Sequence, residues 1–361
     1  MKTRKNIFLS ITTAGCAALT SVLTSFTSME ETTCKSTKVD FSGIAHINQS
    51  DGRVVNLETT DDSRVYDIAN FSVCGDTLVI RSRNNLHTFS STGKHIACIL
   101  QEKKVVKTRG IISNVFFENQ TVAVHDFNQK TVSWYNLKGE PLSSMKYKIA
   151  GEDVFPVHIY PWNGGYIATN AYGGESVDRK TLCFVNKELN TGIAIEGRSL
   201  TSGRGISDDI SIDEQGNVLY HEQLCDTLFT VRDGMLTPLL AIDFGTHALP
   251  EDVARQDIYE REDYVTRLYK EGKPLAGWPS FFQRIGNIIY FTCVSPDNGI
   301  VLCRYDEKEG TTRLFAVDFD NPQYMTQLPF FIRDNVAYWQ VRDKNNASQN
   351  PLLFVFPLDC L

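Results

Sequence analysis

The chain has 361 residues, 42% of them hydrophobic and 22% charged, which is ample for a packed core and too little charge for wholesale disorder. Its formal net charge is −7, and losing Lys2, Arg4 and Lys5 with a leader would leave the remainder more acidic still. That balance excludes general binding to nucleic acid or to anionic membrane surfaces, so no nucleic-acid partner is expected.

In chain order, the first feature is an export signal. Lys2, Arg4 and Lys5 form a positive region, followed by an uncharged apolar and small-residue stretch from Ile7 to Phe26. Its many Ser and Thr residues weaken the reading as a transmembrane anchor. Within it, Ala14-Gly15-Cys16 matches the end of a bacterial lipobox, with Thr13 where that pattern prefers Leu. Two processing routes stay open: lipidation at Cys16, or ordinary cleavage near Ser25 to Ser28. Residues 1–28 are assigned to the signal, 29–52 to an N-terminal linker and 53–361 to the folded unit. The expected location is outside the cytoplasm, as a periplasmic protein, an outer-membrane lipoprotein or a cell-surface protein.

From residue 68 onward one pattern recurs six times: an apolar run, a turn pair rich in Gly, Asn or Asp, and a second β-rich run. The turns are Gly75-Asp76, Asn119-Gln120, Gly164-Gly165, Gly216-Asn217, Gly286-Asn287 and Asp334-Asn335. Each sits where a tight hairpin needs positive φ, which Gly and Asn tolerate. Third strands follow, such as Leu86–Phe89, Val132–Tyr135 and Leu352–Phe356. Fourth runs follow in five units, such as Ile96–Leu100 and Leu314–Phe319. The unit is therefore a four-stranded antiparallel meander, and six of them predict an all-β, six-bladed β-propeller.

The sixth unit stops after three strands. Arg53–Leu57 is an apolar run with no hairpin partner, so it is assigned as the missing fourth strand, closing the ring without a covalent link. One segment breaks the meander. Residues 250–272 are charged, begin with Pro250, end at Gly272 and carry spaced apolar residues, which predicts one or two helices inserted between blades 4 and 5. The basic run Lys103, Lys104, Lys107 and Arg109 reads as a solvated loop. The nine cysteines form no Cys-x-x-Cys pair, and their spacing names no disulfide.

The run His221-Glu222, Cys225-Asp226-Thr227-Leu228-Phe229, Thr237-Pro238-Leu239, Ile242-Asp243-Phe244-Gly245 and Leu249-Pro250, with Asn350-Pro351-Leu352-Leu353 near the end, resembles the six-bladed propellers abundant among exported proteins of Bacteroidetes. That group is similar to TolB-like and NHL-like propellers. Its Gly-x-Gly-Pro-Gly-Glu linker is missing here, with Lys107–Gly110 and Thr201–Gly205 in similar places. The resemblance implies fold and export, and no reaction.

In such a ring, residues leaving the second strands approach one axis. The candidate ligand-binding residues are therefore Arg81, His125, Asp126, Asn170, His221, Glu222 and Arg342, with Arg83, Tyr172, Asp297, Asn298 and Asp343 beside them and Arg204 and Trp278 on linkers. No Gly-x-Ser-x-Gly, His-Glu-x-x-His or phosphate-loop motif occurs, so no catalytic residue and no cofactor are assigned. The first functional reading is a monomeric binding module for a peptide, glycan or protein ligand, touching a membrane only through a lipid on Cys16. The alternative is a hydrolase or lyase with a divalent metal, calcium or zinc, at the channel mouth.

Overall fold

The computed structural model describes residues 34–361 apart from 108–109, 119, 150–155, 171–181, 196–208, 223, 255, 257, 272, 274–276, 298 and 347–348. Cys16 and the rest of the stretch read as a signal, together with Tyr172, Arg204 and Asn298, lie outside the described residues.

Six antiparallel sheets form the blades of a propeller. Blade 1 runs through Asn70–Cys74, Thr77–Ser82, Asn85–Ser90 and His95–Leu100. Blade 2 spans Ile112–Lys146, blade 3 Pro156–Ala194, blade 4 Asp209–Asp243, blade 5 Gly277–Asp318 and blade 6 Tyr324–Pro357. The predicted hairpin tips adopt the required backbone: φ is +54° at Gly75, +60° at Gln120, +74° at Gly164, +81° at Gly216, +57° at Gly286 and +61° at Asn335.

The core consists of layers between blades. Val79, Leu86, Val122 and Val124 fill the layer between blades 1 and 2. Tyr290, Leu302, Phe330 and Trp339 fill the one between blades 5 and 6. Each fully buried side chain of this size contributes roughly 1.5–3 kcal/mol. Polar latches join neighbouring blades where innermost strands splay apart. The Asn114 amide exchanges two hydrogen bonds with the backbone of Ile159 (2.6 and 3.1 Å), and Gln283 does the same to Ile332 (3.1 and 2.5 Å).

Closure occurs at the predicted strand. Arg53–Asn56 pairs antiparallel with blade 6 in the register Val54↔Phe354 and Val55↔Leu353. The loop after it is pinned by buried Asn350, whose Oδ1 accepts from Val65 N (2.8 Å) and whose Nδ2 donates to the carbonyls of Glu58 and Ser63 (both 2.8 Å). At this seam Gly93, with φ +87°, lies so close to the Asn56 carbonyl that any β-carbon would collide with it.

Two strands lie inside the stretch read as a linker. Lys35–Lys38 adds in parallel to the outer strand of blade 4, and Ile44–Asn48 adds in parallel to that of blade 5. Each pairs edge-on with its blade and buries little, with Thr37 and Ile47 buried, and Lys35–Lys38 carries no apolar residue at all.

Among the described residues three α-helices interrupt the sheets: α1 (Glu102–Lys107), α2 (Glu251–Ala254) and α3 (Ile258–Lys270). α2 and α3 are the predicted insertion, started by Val253 N and Ala254 N donating to the Pro250 carbonyl (2.9 and 2.8 Å). α3 docks on the loop between the second and third strands of blade 4, where Val265 packs with Leu224 and Arg261 Nη1 donates to the Leu224 carbonyl (3.3 Å). α1 takes the place of much of the basic loop, because Asn85 Oδ1 accepts from Glu102 N (2.7 Å) and Val105 is buried in the layer between blades 1 and 2.

Candidate functional site

A cavity of about 530 Å³ lies on the propeller axis. Its wall is built by the innermost strands of five blades: Ala69 and Asn70 lead into or begin that of blade 1, Ser113 and Asn114 come from blade 2, and His158 and Tyr160 from blade 3. Ser280 and Phe281 come from blade 5, and Leu328 and Pro329 from blade 6. Arg81 reaches it from the second strand of blade 1, and Thr292, Cys293 and Val294 from that of blade 5.

Four of these innermost strands slip register where they meet the cavity: between Ile112 and Asn114, Pro156 and His158, Ser280 and Gln283, and Gln327 and Phe330. A bulge breaks the ladder and re-aims side chains. Here residues at or beside the bulges, among them Ser113, His158, Ser280, Phe281, Leu328 and Pro329, line the cavity. Phe281 sits at one of them with φ +55°, a conformation bulky residues adopt rarely.

Electrostatically the cavity is simple. Arg81 is the one Arg, Lys, Asp or Glu among its lining residues. Its Nη1 donates to the Ile112 carbonyl (3.1 Å), while its buried Nε has no hydrogen-bond partner among the described residues. Burial lowers the guanidinium's pKa, opposed by Tyr160 and by Asp67. His158 is pushed down to about 4, first by burial and then by the Arg81 charge, so at neutral pH it offers hydrogen bonds and no charge. Its Nδ1 lies 3.4 Å from Thr169 Oγ1.

Two further pockets adjoin this one. A pocket of about 820 Å³ shares Ile68, Ile300 and Leu328 with the cavity and continues over Val317, Phe319 and Met325. A more polar one of about 480 Å³ shares Asp67, Tyr324, Gln327 and Gln340 with that pocket and adds Arg342 and Asp343.

The seven candidate residues fall into different settings. Arg81 lines the central cavity and Arg342, exposed, lines the 480 Å³ pocket. His125 is fully buried, with Nε2 2.7 Å from the Tyr147 hydroxyl, and burial followed by the proximity of His158 lowers its pKa to about 3. Asp126 folds its own loop, its Oδ1 accepting from Ile111 N (3.1 Å) and Gln129 N (2.9 Å). His221 donates from Nε2 to the Cys225 carbonyl (2.7 Å), packs 4.8 Å from the Phe282 ring and is held near pKa 4 by burial. Glu222 is buried in the loop onto which α3 docks. Asn170 ends the second strand of blade 3, and its side chain lies outside the described residues.

Asn114, His158, Tyr160 and Ser280 were not flagged by reasoning on strand ends. The available signal was a polar residue inside an apolar run, as with Asn114 among Ile112, Val115 and Phe116.

Buried Cys293 and Cys303 have sulfurs 3.4 Å apart, and both are free thiols. Among the described residues no group of three or more His, Cys, Asp or Glu is placed to hold a metal ion.

A family model described as "Domain of unknown function (DUF4934)" matches residues 32–351. Among solved structures, the chain is similar to a protein described as exported, from Bacteroides fragilis NCTC 9343, at 14% identity and a TM-score of 0.58, covering 89% of this chain and 99% of that one. It is also similar to a member of the DUF4221 family from Bacteroides vulgatus, at 12% identity and a TM-score of 0.53, covering 84% and 95%. No curated protein matches the chain.

Proposed function

We propose that this chain, which belongs to the DUF4934 family, is an exported binding module that holds a small ligand in its central cavity. The observation that carries the reading is the cavity itself: about 530 Å³, walled by five blades, with polar residues and one charged residue interleaved with apolar ones in its lining. That size and its convergent polar groups are those of small-molecule sites. Export is supported by Lys2, Arg4 and Lys5 ahead of an uncharged stretch, and by the exported description of the Bacteroides fragilis neighbour. Lipidation at Cys16 is the finer form of this reading, and loss of labelled palmitate on Cys16→Ser tests it.

The metal-dependent hydrolase or lyase has less support, since its two histidines at strand ends, His125 and His221, are engaged with Tyr147 and Cys225. The test of the binding reading is saturation-transfer NMR against short peptides, oligosaccharides and small organic acids. Ala69→Trp, which fills the cavity from its wall, should abolish the signal of any binder while leaving the unfolding transition in place. Binding that survives Ala69→Trp, or a panel with no binder, overturns it.

A further inference from the structure

We infer that the ligand of the central cavity is a small monocarboxylic acid with an apolar body, its carboxylate paired with Arg81 and its body directed toward the seam between blades 5 and 6. This rests on the binding reading above and adds the ligand's chemistry to it.

A charged guanidinium in a largely apolar wall carries a desolvation cost that a counter-ion relieves. Arg81 spends one N–H on the Ile112 carbonyl, and its buried Nε is left without a partner among the described residues. An arginine presents several donors in a planar fork suited to a carboxylate. The neighbouring groups sharpen the choice. His158 stays neutral and Tyr160 adds a hydroxyl, so the recognised charge is a single negative one. Asp67 is an acidic group that acts on Arg81, but it lines the two adjoining pockets and not the cavity.

The rest of the ligand is set by the wall opposite. Phe281, Val294, Ile300, Leu328 and Pro329 offer no hydrogen-bonding side chain, the Ser280 and Thr292 hydroxyls beside them bond each other (3.0 Å), and the adjoining pocket continues the apolar surface over Val317, Phe319 and Met325. A polyanion would find one cation and a long apolar wall. A neutral sugar would bring no charge to Arg81, leaving Asp67 outside the cavity as its acidic neighbour. An acid with an acyl or aromatic body satisfies both ends.

Such an acid could be a free fatty or aromatic acid, or the C-terminus of an apolar peptide. Calorimetric titration separates these, with decanoate, 1-decanol and decyltrimethylammonium as one set and acetyl-Leu-Phe against its C-terminal amide as the other. Decanoate or the peptide acid should bind at least about tenfold more tightly than its uncharged partner, the ratio that ~1.4 kcal/mol of charge-assisted bonding yields. Which of the two acids binds identifies the source. In Arg81→Met the preference should vanish while binding of 1-decanol persists, and Arg81→Lys should restore part of it. Equal binding of decanoate and 1-decanol by the wild-type protein overturns the inference and leaves the cavity reading standing. Binders confined to neutral oligosaccharides, yet lost in Ala69→Trp, do the same. Unchanged decanoate preference in folded Arg81→Met overturns the role of Arg81.

Discussion

Blades 4, 5 and 6 each end at the rim on a strand supplied by residues 35–56, whereas blades 1, 2 and 3 end on their own fourth strands. The two halves face the same hazard, since an outermost strand presents unpaired N–H and C=O groups that invite other strands. One half moves the edge onto a strap, whose short strands Lys35–Lys38, Ile44–Asn48 and Arg53–Asn56 become the outermost strands of blades 4, 5 and 6. In the other half the edges are blunted locally. Blade 3 ends on a three-residue strand, blade 2 starts its outer strand with Pro141 and shifts register at Trp134/Tyr135, and blade 1 shifts register twice. The bare half nonetheless exposes Ile96 (44%), Leu142 (55%) and Ile193 (65%) on its outer strands. The strap sits beside the ring's noncovalent joint, so one continuous segment both edges blades 4 and 5 and closes the ring at blade 6.

The largest way to break that comparison is deletion. Removing residues 34–57 takes away buried Val39, Ile47, Val55 and Leu57 and the closing strand. At roughly 1.5–3 kcal/mol each, this exceeds ~6 kcal/mol and should abolish the cooperative thermal transition. Removing 34–50 alone should lower the midpoint and keep the transition. Calorimetry giving the same result for both deletions would show that the closing strand adds little beyond the strap.

Acid should act on the other half first. His87 and His158 are held near pKa 4 and His125 near 3, each mainly by burial, and all three belong to blades 1–3. His221 in blade 4 is similar, and the sequence has no histidine between 277 and 357. Each folded pKa lies below the unfolded value of about 6.5, so protonation favours the unfolded chain. The stabilisation is complete above about pH 6.5 and is lost as pH falls toward 4, up to on the order of 3 kcal/mol for one such residue. Hydrogen exchange at pH 5 against pH 7 should show protection falling in blades 1–3 before blades 5 and 6. Uniform loss would mean that the histidines are not the trigger.

The smallest effects separate the rims themselves. Leu142→Ser and Ile193→Ser on the bare half should change stability by less than ~0.5 kcal/mol, as exposed substitutions do. Ile47→Ser in the strap removes a side chain 1% exposed and should cost about 2–4 kcal/mol. Denaturant midpoints measure both, and equal costs would put the strap outside the core.

Where the sequence was readable, a local rule coincided with the tertiary need. The six turns are legible because positive φ restricts residue type, and Arg53–Asn56 is legible because each of its two faces meets a layer of the core and carries a Val, Val54 on one and Val55 on the other. The Lys35–Lys38 and Ile44–Asn48 strands escaped notice because adding to the outside of a finished blade buries one or two residues, and nothing in Lys-Ser-Thr-Lys distinguishes an edge strand from a linker. The candidate site was legible in part. The rule that second-strand ends approach the axis selected Arg81, but it weighted His125 and His221, which the structure ties to Tyr147 and to the Cys225 carbonyl.

Sequence alone determined the blade count, the strand order within each blade, the closing strand and the helical insertion, because each follows from periodicity and turn chemistry acting over a few residues. The tertiary structure decided which polar side chains face the axis. That choice depends on bulges at Ser113, Val157 and 280–283, where one extra residue reverses the alternation of side chains, and at 327–330, where two extra residues interrupt it. A bulge is a compromise between neighbouring strands and blades, so its position is a property of the closed ring and leaves little mark on the local sequence.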